Sequence, residues 1–249
     1  MENYKLSIPK IIHYCWFGEN PKSELIEKCI ASWKKYAPDF KIIEWNENNY
    51  DIDRYIYTKQ AYREKKYAFV SDVARFQVLF EYGGAYLDTD VELLKPIDQL
   101  LNTDIFMAYD QRSKIASGLV FGSTARNKIL EQILDYYRNN NFLLSNGRPN
   151  TTTVVTIVSN VLENLGIKLD GNYFDKDGIT MYPWEYFDPL NYETKEMRIS
   201  SNTYAVHYYA MTWKSSKDLI IYRVGLAIKR VIGPRLYEKI ALIKHRYLG

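Results

Sequence analysis

Apolar positions along the chain alternate between strand-like runs and helix-like repeats. Ile8 to Phe17 is apolar, β-branched and aromatic and closes at Gly18, which predicts a buried strand. Apolar residues then recur at helical spacing from Leu25 to Trp33, after an Asn20-Pro21 pair that predicts the start of the helix. Phe40 to Trp45 predicts a second strand. This β-α-β opening favours an α/β domain with a parallel sheet, whose ligand site lies at the carboxyl ends of the strands.

A second helix is predicted from Tyr67 to Tyr82, where buried-type residues keep helical register until Gly83-Gly84. Ala85 to Leu87 then predicts a strand, Asp88 to Asp90 an acidic turn, and Val91 to Leu94 another strand. The order places two carboxylates directly after a buried strand.

The remaining pattern completes an α/β domain with a loop-rich region near 170–202. Strands are predicted at Ile105 to Tyr109, Leu119 to Phe121, Ile179 to Tyr182 and Thr203 to Tyr208, and helices at Ala125 to Asn139 and Thr151 to Leu165.

Composition narrows the class of protein. The 249 residues are 47% hydrophobic and 25% charged with a net charge of +3, which excludes global disorder and gives no case for nucleic-acid binding. Cys15 and Cys29 show no metal-site or disulfide spacing. The first ten residues lack the apolar stretch of a signal peptide, and no window has the length of uncharged apolar sequence that spans a membrane. We therefore expect a cytoplasmic protein.

The charge is unevenly distributed along the chain. Residues 214–249 hold nine Lys or Arg against two Asp or Glu, a net charge of +7, which leaves −4 for the other 213 residues. We therefore predict a catalytic domain over 1–213 and a basic amphipathic helical extension over 214–249. The extension either binds an anionic membrane surface or packs its apolar side on the domain and leaves the basic face in solvent.

The acidic turn is the first candidate for chemistry. Asp88 and Asp90 repel each other unless a cation compensates them, and Mg²⁺ or Mn²⁺ takes one or two carboxylates together with phosphate oxygens and water. Taken alone, such an acidic turn is more often a solvated loop. Asp72 and Arg75, three residues apart on the preceding helix, share one helix face, and a simple salt bridge would also account for them.

The full string from Phe69 to Asp98, FVSDVARFQVLFEYGGAYLDTDVELLKPID, resembles the signature of the family 32 glycosyltransferases. The opening IPKIIHYCWFG and the segment HYYAMTW, from His207 to Trp213, are similar to the first strand and the closing segment of that family. These enzymes are related to fungal initiating mannosyltransferases and to the catalytic domain of clostridial glucosylating toxins. The resemblance implies a GT-A fold, a Rossmann-like mixed sheet with a DxD motif.

The resemblance also implies a role for each acidic residue and its cationic partner. Asp72 accepts hydrogen bonds from hydroxyls of the donor sugar, and Arg75 binds a sugar hydroxyl or phosphate. Asp88 reaches the ribose and the sugar, or a water on the metal. Asp90 ligates a divalent cation, Mn²⁺ or Mg²⁺, with His207 as a further metal contact.

Three more residues and one short segment are implied in donor binding. Trp16 stacks on the base of the nucleotide, Trp213 donates its indole N–H to the β-phosphate, and Thr212 stands where the family usually has Ser. The stretch Ser117 to Gly122 would form a wall of the sugar site. Core packing is the alternative for Trp16, and a strand-end core histidine is the alternative for His207.

The implied reaction is metal-dependent transfer of a sugar with retention of configuration. The donor is a nucleotide sugar, with a UDP-sugar favoured and a GDP-mannose type as the alternative. The acceptor is an oligosaccharide or a lipid-linked saccharide in the assembly of capsule or another surface polysaccharide, at the inner face of the cell membrane.

Two other classes of protein remain open on the sequence. A metal-dependent phosphohydrolase is suggested by LDTDVEL, although that motif requires Thr where Glu92 stands. A non-enzymatic carbohydrate- or membrane-binding module is suggested by the 23 tyrosines and the basic extension, although it leaves the four residues Asp72, Arg75, Asp88 and Asp90 without a purpose.

Overall fold

The computed structural model describes residues 7–150 and 152–210, together with the single positions 224 and 233. The chain divides into two units, Met1–Tyr209 and Ala210–Gly249, and all the elements below belong to the first. The predicted basic helices fall in 214–249 and so lie outside the described residues, apart from those two positions. Among the described helices, none combines the length and the apolar character needed to cross a bilayer.

The described part of the first unit contains nine strands and five α-helices. The strands are β1 (Ile11–Cys15), β2 (Lys41–Trp45), β3 (Gly84–Leu87), β4 (Val91–Leu93), β5 (Ile105–Ala108), β6 (Val120–Ser123), β7 (Phe174–Lys176), β8 (Ile179–Tyr182) and β9 (Ala205–His207). The helices are α1 (Glu24–Tyr36), α2 (Ile56–Arg63), α3 (Tyr67–Tyr82), α4 (Lys128–Asn139) and α5 (Val154–Asn164).

Seven strands form one mixed sheet in the order β2-β1-β3-β6-β5-β8-β7, and β4 pairs with β9 in a separate two-stranded sheet. In the large sheet β2, β1, β3, β5 and β8 run in one direction, while β6 and β7 are antiparallel to their neighbours. The predicted α/β class with a mixed Rossmann-like sheet is confirmed. A purely parallel sheet, which the β-α-β opening alone favours, is wrong, because β6 and β7 run against the other strands.

Helices cover both faces of the large sheet. Successive side chains of a strand point to opposite faces, so Cys15 and Tyr86 join one apolar cluster while Tyr14 and Leu87 join another. The first cluster packs against α2, α3, α4 and α5, and the second against α1 and the small sheet. The helices therefore leave the carboxyl ends of β1, β3, β5 and β8, which all lie at one edge of the sheet, to be covered by loops.

The predicted start of α1 at Asn20-Pro21 is wrong. The helix begins at Glu24, with Ser23 in the N-cap position. The carbonyl oxygen of Asn20 instead accepts a hydrogen bond of 2.7 Å from the indole N–H of Trp16. The segment before the helix thus fixes the side chain that follows β1.

Helix α3 has the predicted limits and an almost entirely buried interior. Gly83 ends it with φ of +64°, and the N–H of Gly83 donates to the carbonyl of Leu79 at 2.8 Å. A side chain at Gly83 would lie 2.9 Å from the backbone nitrogen of Ala125. The glycine therefore allows the tight passage from α3 into β3.

His13, on the neighbouring strand β1, secures this passage. Its Nε2–H donates to the carbonyl of Gly83 at 2.8 Å, and its Nδ1 accepts from the indole N–H of Trp45 at 3.0 Å. This pair of bonds requires a neutral ring. Burial lowers the pKa of His13 to about 4, opposed by the bond to Gly83 and assisted by Lys41.

We expect stability to depend on pH through His13. Between pH 6.5 and 4 the ring of His13 is protonated in the unfolded chain but neutral in the folded chain. The free energy of unfolding therefore decreases by about 1.4 kcal/mol for each unit by which the pH falls. His13→Gln removes this dependence. The stability advantage of the wild type over the variant, measured by urea unfolding, should shrink by about 3 kcal/mol from pH 7 to pH 4. An advantage that stays constant over this range would contradict the assignment.

Candidate active site

The acidic turn lies where the chain leaves the large sheet for the small one. Asp88 follows β3 and its N–H donates to the carbonyl of Gly118 at 3.1 Å. The chain then turns, with the N–H of Val91 bonded to the carbonyl of Asp88 at 3.0 Å, and enters β4. Because Val91 pairs with His207 across the small sheet, β9 brings the histidine beside Asp90.

Arg75 joins helix α3 to this turn through two carboxylates. One of its terminal nitrogens lies 3.1 Å from Asp72 and 3.3 Å from Asp88, and its Nε donates to the carbonyl of Ser71 at 3.2 Å. The guanidinium also lies 4.9 Å from the ring centre of Tyr86. The Arg75 side chain is only 7% exposed, so water does little to screen its charge.

Burial and like charge shift the carboxylates of this cluster. Burial raises the pKa of Asp72 to about 6, with Asp88 adding to the shift and Arg75 opposing it. Burial likewise raises the pKa of Asp88, again opposed by Arg75 and assisted by Asp90. Burial lowers the pKa of Arg75, but Asp88, Tyr86 and Asp72 raise it more, so it stays charged. Carboxylates whose pKa values are shifted by burial and by a specific charged partner are typical of functional sites.

Asp88, Asp90 and His207 form a group that fits a divalent cation. One ligand atom from each lies within 4.8 Å of the others. The Nε2 of His207 lies 3.2 Å from Asp90, while its Nδ1 is buried without a hydrogen-bond partner among the described residues. Burial lowers the pKa of His207, but the carboxylates of Asp90, Asp88 and Asp188 raise it by more. The pKa of His207 therefore lies above its usual value. Two carboxylates and one imidazole could hold a divalent cation, whose charge would relieve the repulsion between the carboxylates.

The predicted wall at Ser117 to Gly122 contacts the cluster at Gly118. A Cβ built on Gly118 would lie 2.1 Å from an oxygen of Asp88, so only glycine fits against this carboxylate. The hydroxyl of Ser117 is buried and has no partner within the described residues. After Leu119 the segment enters β6 at Val120.

Trp16 is half-buried at the end of β1, at the same edge of the sheet. Besides its bond to Asn20, its ring lies 5.4 Å from the ammonium of Lys22, which is held by Glu44 at 2.8 Å. A restrained indole at this place is suited to stacking.

The structure thus brings together Asp72, Arg75, Asp88, Asp90 and His207, and places Trp16 at the same edge. Thr212 and Trp213, the last two predicted donor-site residues, lie outside the described residues.

Sequence reasoning missed two residues beside His207. The hydroxyl of Tyr209 donates to buried Asp188 at 2.6 Å, and its ring centre lies 4.1 Å from that of His207. Burial raises the pKa of Asp188 to about 6, against the effect of Tyr209. Tyr209 stands inside the segment HYYAMTW, but nothing in the local pattern distinguishes it from the other tyrosines.

Comparison with known proteins identifies relatives of the first unit. Residues 1–147 match the family described as "Capsular polysaccharide synthesis protein". Inositol phosphoceramide mannosyltransferase 1 of Schizosaccharomyces pombe is 28% identical over 138 residues, which cover 51% of this chain and 42% of that protein. Mannosyl phosphorylinositol ceramide synthase CSH1 of Saccharomyces cerevisiae is 26% identical over 143 residues, 53% of this chain and 37% of that one. The chain therefore matches only about two fifths of the length of these relatives.

Among solved structures, PaToxG Glycosyltransferase gives a TM-score of 0.47 at 20% identity and covers 64% of this chain and 69% of that one. A glycosyltransferase involved in glycosylation of the major capsid of PBCV-1 gives a TM-score of 0.42 at 10% identity, with 82% and 95% covered.

We expect Arg75 to be essential for stability. Arg75→Met leaves Asp72 and Asp88 buried without their cation, so the free energy of unfolding at pH 7 should fall by about 3 kcal/mol or more. The loss should be smaller at pH 5, where Asp72, with its pKa of about 6, takes up a proton and is neutral. Urea unfolding at both pH values measures the effect.

Arg138→Met is the matched control, because Arg138 also pairs with an acid three residues earlier but is 39% exposed. Its effect should stay below about 1 kcal/mol. Equal losses for the two variants would show that the buried cluster adds nothing.

Proposed function

The chain belongs to the capsular polysaccharide synthesis protein family, and from this premise we propose that it is a glycosyltransferase of the GT-A type. It transfers a sugar from a nucleotide-sugar donor to an oligosaccharide or lipid-linked acceptor. The observation that carries the proposal is the continuity of two clusters through Asp88, which pairs with Arg75 on one side and lies beside Asp90 and His207 on the other. In a nucleotide-sugar donor the sugar lies next to the diphosphate. Polar groups for the sugar and a cation for the diphosphate are therefore needed side by side.

In the proposed complex Asp72 and Asp88 accept hydrogen bonds from hydroxyls of the donor sugar and fix its ring. Arg75 holds both carboxylates in place and contributes positive charge near a sugar hydroxyl or phosphate. Asp90 and His207, with Asp88, hold Mn²⁺ or Mg²⁺. When bound, the cation stabilises the negative charge that grows on the departing diphosphate.

The chemical step follows from the charges of the chain's own residues. The anomeric carbon becomes positive as the diphosphate leaves, and the carboxylates of Asp72 and Asp88 stabilise this charge. Retention of configuration, with attack on the same face and transfer of the acceptor proton to the leaving phosphate, is the part of the proposal that rests on the family resemblance alone.

The donor base is assigned to the edge at Trp16, where the restrained indole supports stacking. Thr212 and Trp213 remain proposed phosphate contacts. A UDP-sugar is the favoured donor. Both fungal relatives are named for the transfer or attachment of mannose, which favours a GDP-mannose type of donor as the second candidate.

The two rival classes fit the arrangement less well. A phosphohydrolase does not need Asp72 and Arg75 one helix turn apart beside the acidic turn. A binding module needs no buried carboxylates with raised pKa values, and burying them costs stability.

The acceptor and its location complete the proposal. Residues 1–213 form the catalytic domain, and the basic extension 214–249 holds it beside a lipid-linked acceptor at the inner face of the membrane, for surface polysaccharide assembly. Each basic residue near anionic lipid contributes roughly 1 kcal/mol, so a net charge of +7 is sufficient for reversible binding.

We predict donor hydrolysis that depends on a divalent cation. With a panel of UDP- and GDP-sugars and saturating Mn²⁺, the wild type should release free nucleoside diphosphate from at least one donor. Asp90→Asn should lower the turnover by at least ~10²-fold, because one charged ligand of the cation is lost. A chelator should reduce the wild type to the level of the variant.

Asp39→Asn, which changes a carboxylate 56% exposed on the surface, is the control and should leave turnover unchanged. Near-wild-type turnover of Asp90→Asn would remove the metal assignment. Phosphate release from simple phosphomonoesters, with every nucleotide sugar intact, would favour the phosphohydrolase instead.

The membrane proposal is tested by shortening the chain. Cutting after Ser216 removes nearly all the basic residues of the extension and keeps Trp213. Sedimentation with anionic liposomes should be abolished, while donor hydrolysis is spared. If the shortened chain sediments as well as the full chain, the extension is not the membrane contact.

A further inference from the structure

One ring nitrogen of His207 has no hydrogen-bond partner in the part of the chain that the structure describes. A metal-binding histidine normally donates its second ring nitrogen to a carboxylate, a carbonyl or a water, which fixes the ring. Here the Nε2 faces Asp90 at 3.2 Å, and the buried Nδ1 has no partner in the described ranges. Among the described residues, the ring is therefore oriented by its contact with Asp90 and by the side chain that packs on it.

Tyr209 supplies that contact through an unusual backbone conformation. Its φ is +53°, in the left-handed region that a bulky aromatic residue rarely adopts. The turn carries its ring back over His207, with the ring centres 4.1 Å apart and the planes at 45°. Tyr208, between them, bonds through its N–H to the carbonyl of Asp90 at 3.0 Å, so the turn is also tied to the acidic loop.

The hydroxyl of Tyr209 is fixed by a buried carboxylate. Asp188 is 1% exposed, and its Oδ1 accepts from the Tyr209 hydroxyl at 2.6 Å while its Oδ2 accepts from the N–H of Gln111 at 3.2 Å. The side chain of Gln111 donates to the carbonyl of Asp188 at 2.8 Å and accepts from Asn191 at 2.9 Å. Gln111, in the loop between β5 and β6, thus holds Asp188 in place. Asp188 in turn fixes the position of the Tyr209 hydroxyl.

We propose that Asp188 and Tyr209 are positioning residues that hold the imidazole of His207 in the orientation needed to bind a divalent cation with Asp88 and Asp90. The inference rests on the proposed function of that site. Tyr209 acts by packing on the ring of His207, and Asp188 acts by anchoring the hydroxyl of Tyr209. Neither residue is assigned a bond to the cation.

Mn²⁺ binding to the full chain, measured by loss of the free-ion electron paramagnetic resonance signal, tests this proposal without turnover. Tyr209→Phe keeps the ring and loses its anchor, so we expect Mn²⁺ affinity to fall about tenfold, the usual scale for removing support of a metal ligand. Asp188→Asn, which loses the charge but keeps an acceptor oxygen, should give a smaller loss in the same direction. It also provides a second test if Tyr209→Phe does not fold.

Tyr192→Phe is the matched control. Tyr192 packs 5.4 Å from Tyr209, and its hydroxyl bonds to Glu193 rather than to Asp188. Its Mn²⁺ affinity should equal that of the wild type. In a His207→Ala background, Tyr209→Phe should cause no further loss, because the ring that it positions is gone.

The possible results separate the two proposals. If the wild type binds Mn²⁺ and Tyr209→Phe binds it within twofold of the wild type, the positioning role is overturned and the metal site stands. An equal loss from Tyr209→Phe with and without His207 would also overturn it, since the effect would then be general. If the wild type binds no Mn²⁺, the metal site and this inference both fail.

Discussion

The arrangement at the edge of the sheet depends on one buried cation, the guanidinium of Arg75. It lies between Asp72 on the same helix and Asp88 on the turn after β3, and its charge offsets the cost of burying both acids. The guanidinium also packs on the ring of Tyr86, at 4.9 Å from the ring centre, and Tyr86 is itself buried in the core. The ion pairs of Arg75 therefore join α3 to the acidic turn that follows β3.

The acidic turn has two partners because the chain changes sheets within it. Asp88 directly follows β3, while Asp90 leads into β4, which pairs with β9 rather than with the large sheet. One side of the turn therefore contacts a helix cation, and the other side contacts a histidine that is more than 100 residues distant in the chain. Asp88 therefore contacts Arg75 and also lies beside Asp90 and His207, so this short segment connects the two clusters.

Local patterns predicted those features that local physics determines. Helix α3 was predicted to its end residues, since its apolar repeat ends at two glycines, and Asp72 and Arg75 follow from helical spacing. The start of α1 was wrong because the carbonyl of Asn20 serves Trp16, a tertiary contact. Short α2 carries no capping signal and was not predicted. His207 entered through the family resemblance, while Asp188 and Tyr209 were missed because their roles arise only when three distant segments meet.

If the two clusters form a single donor site, a divalent cation and a nucleoside diphosphate bind there together. Titration calorimetry of UDP and GDP, with Mn²⁺ or with a chelator, tests it most directly. We expect one of the two nucleotides to bind at least roughly tenfold more tightly with Mn²⁺, a typical coupling between two bound ligands. Equal affinities with and without the cation, for both nucleotides, would contradict it.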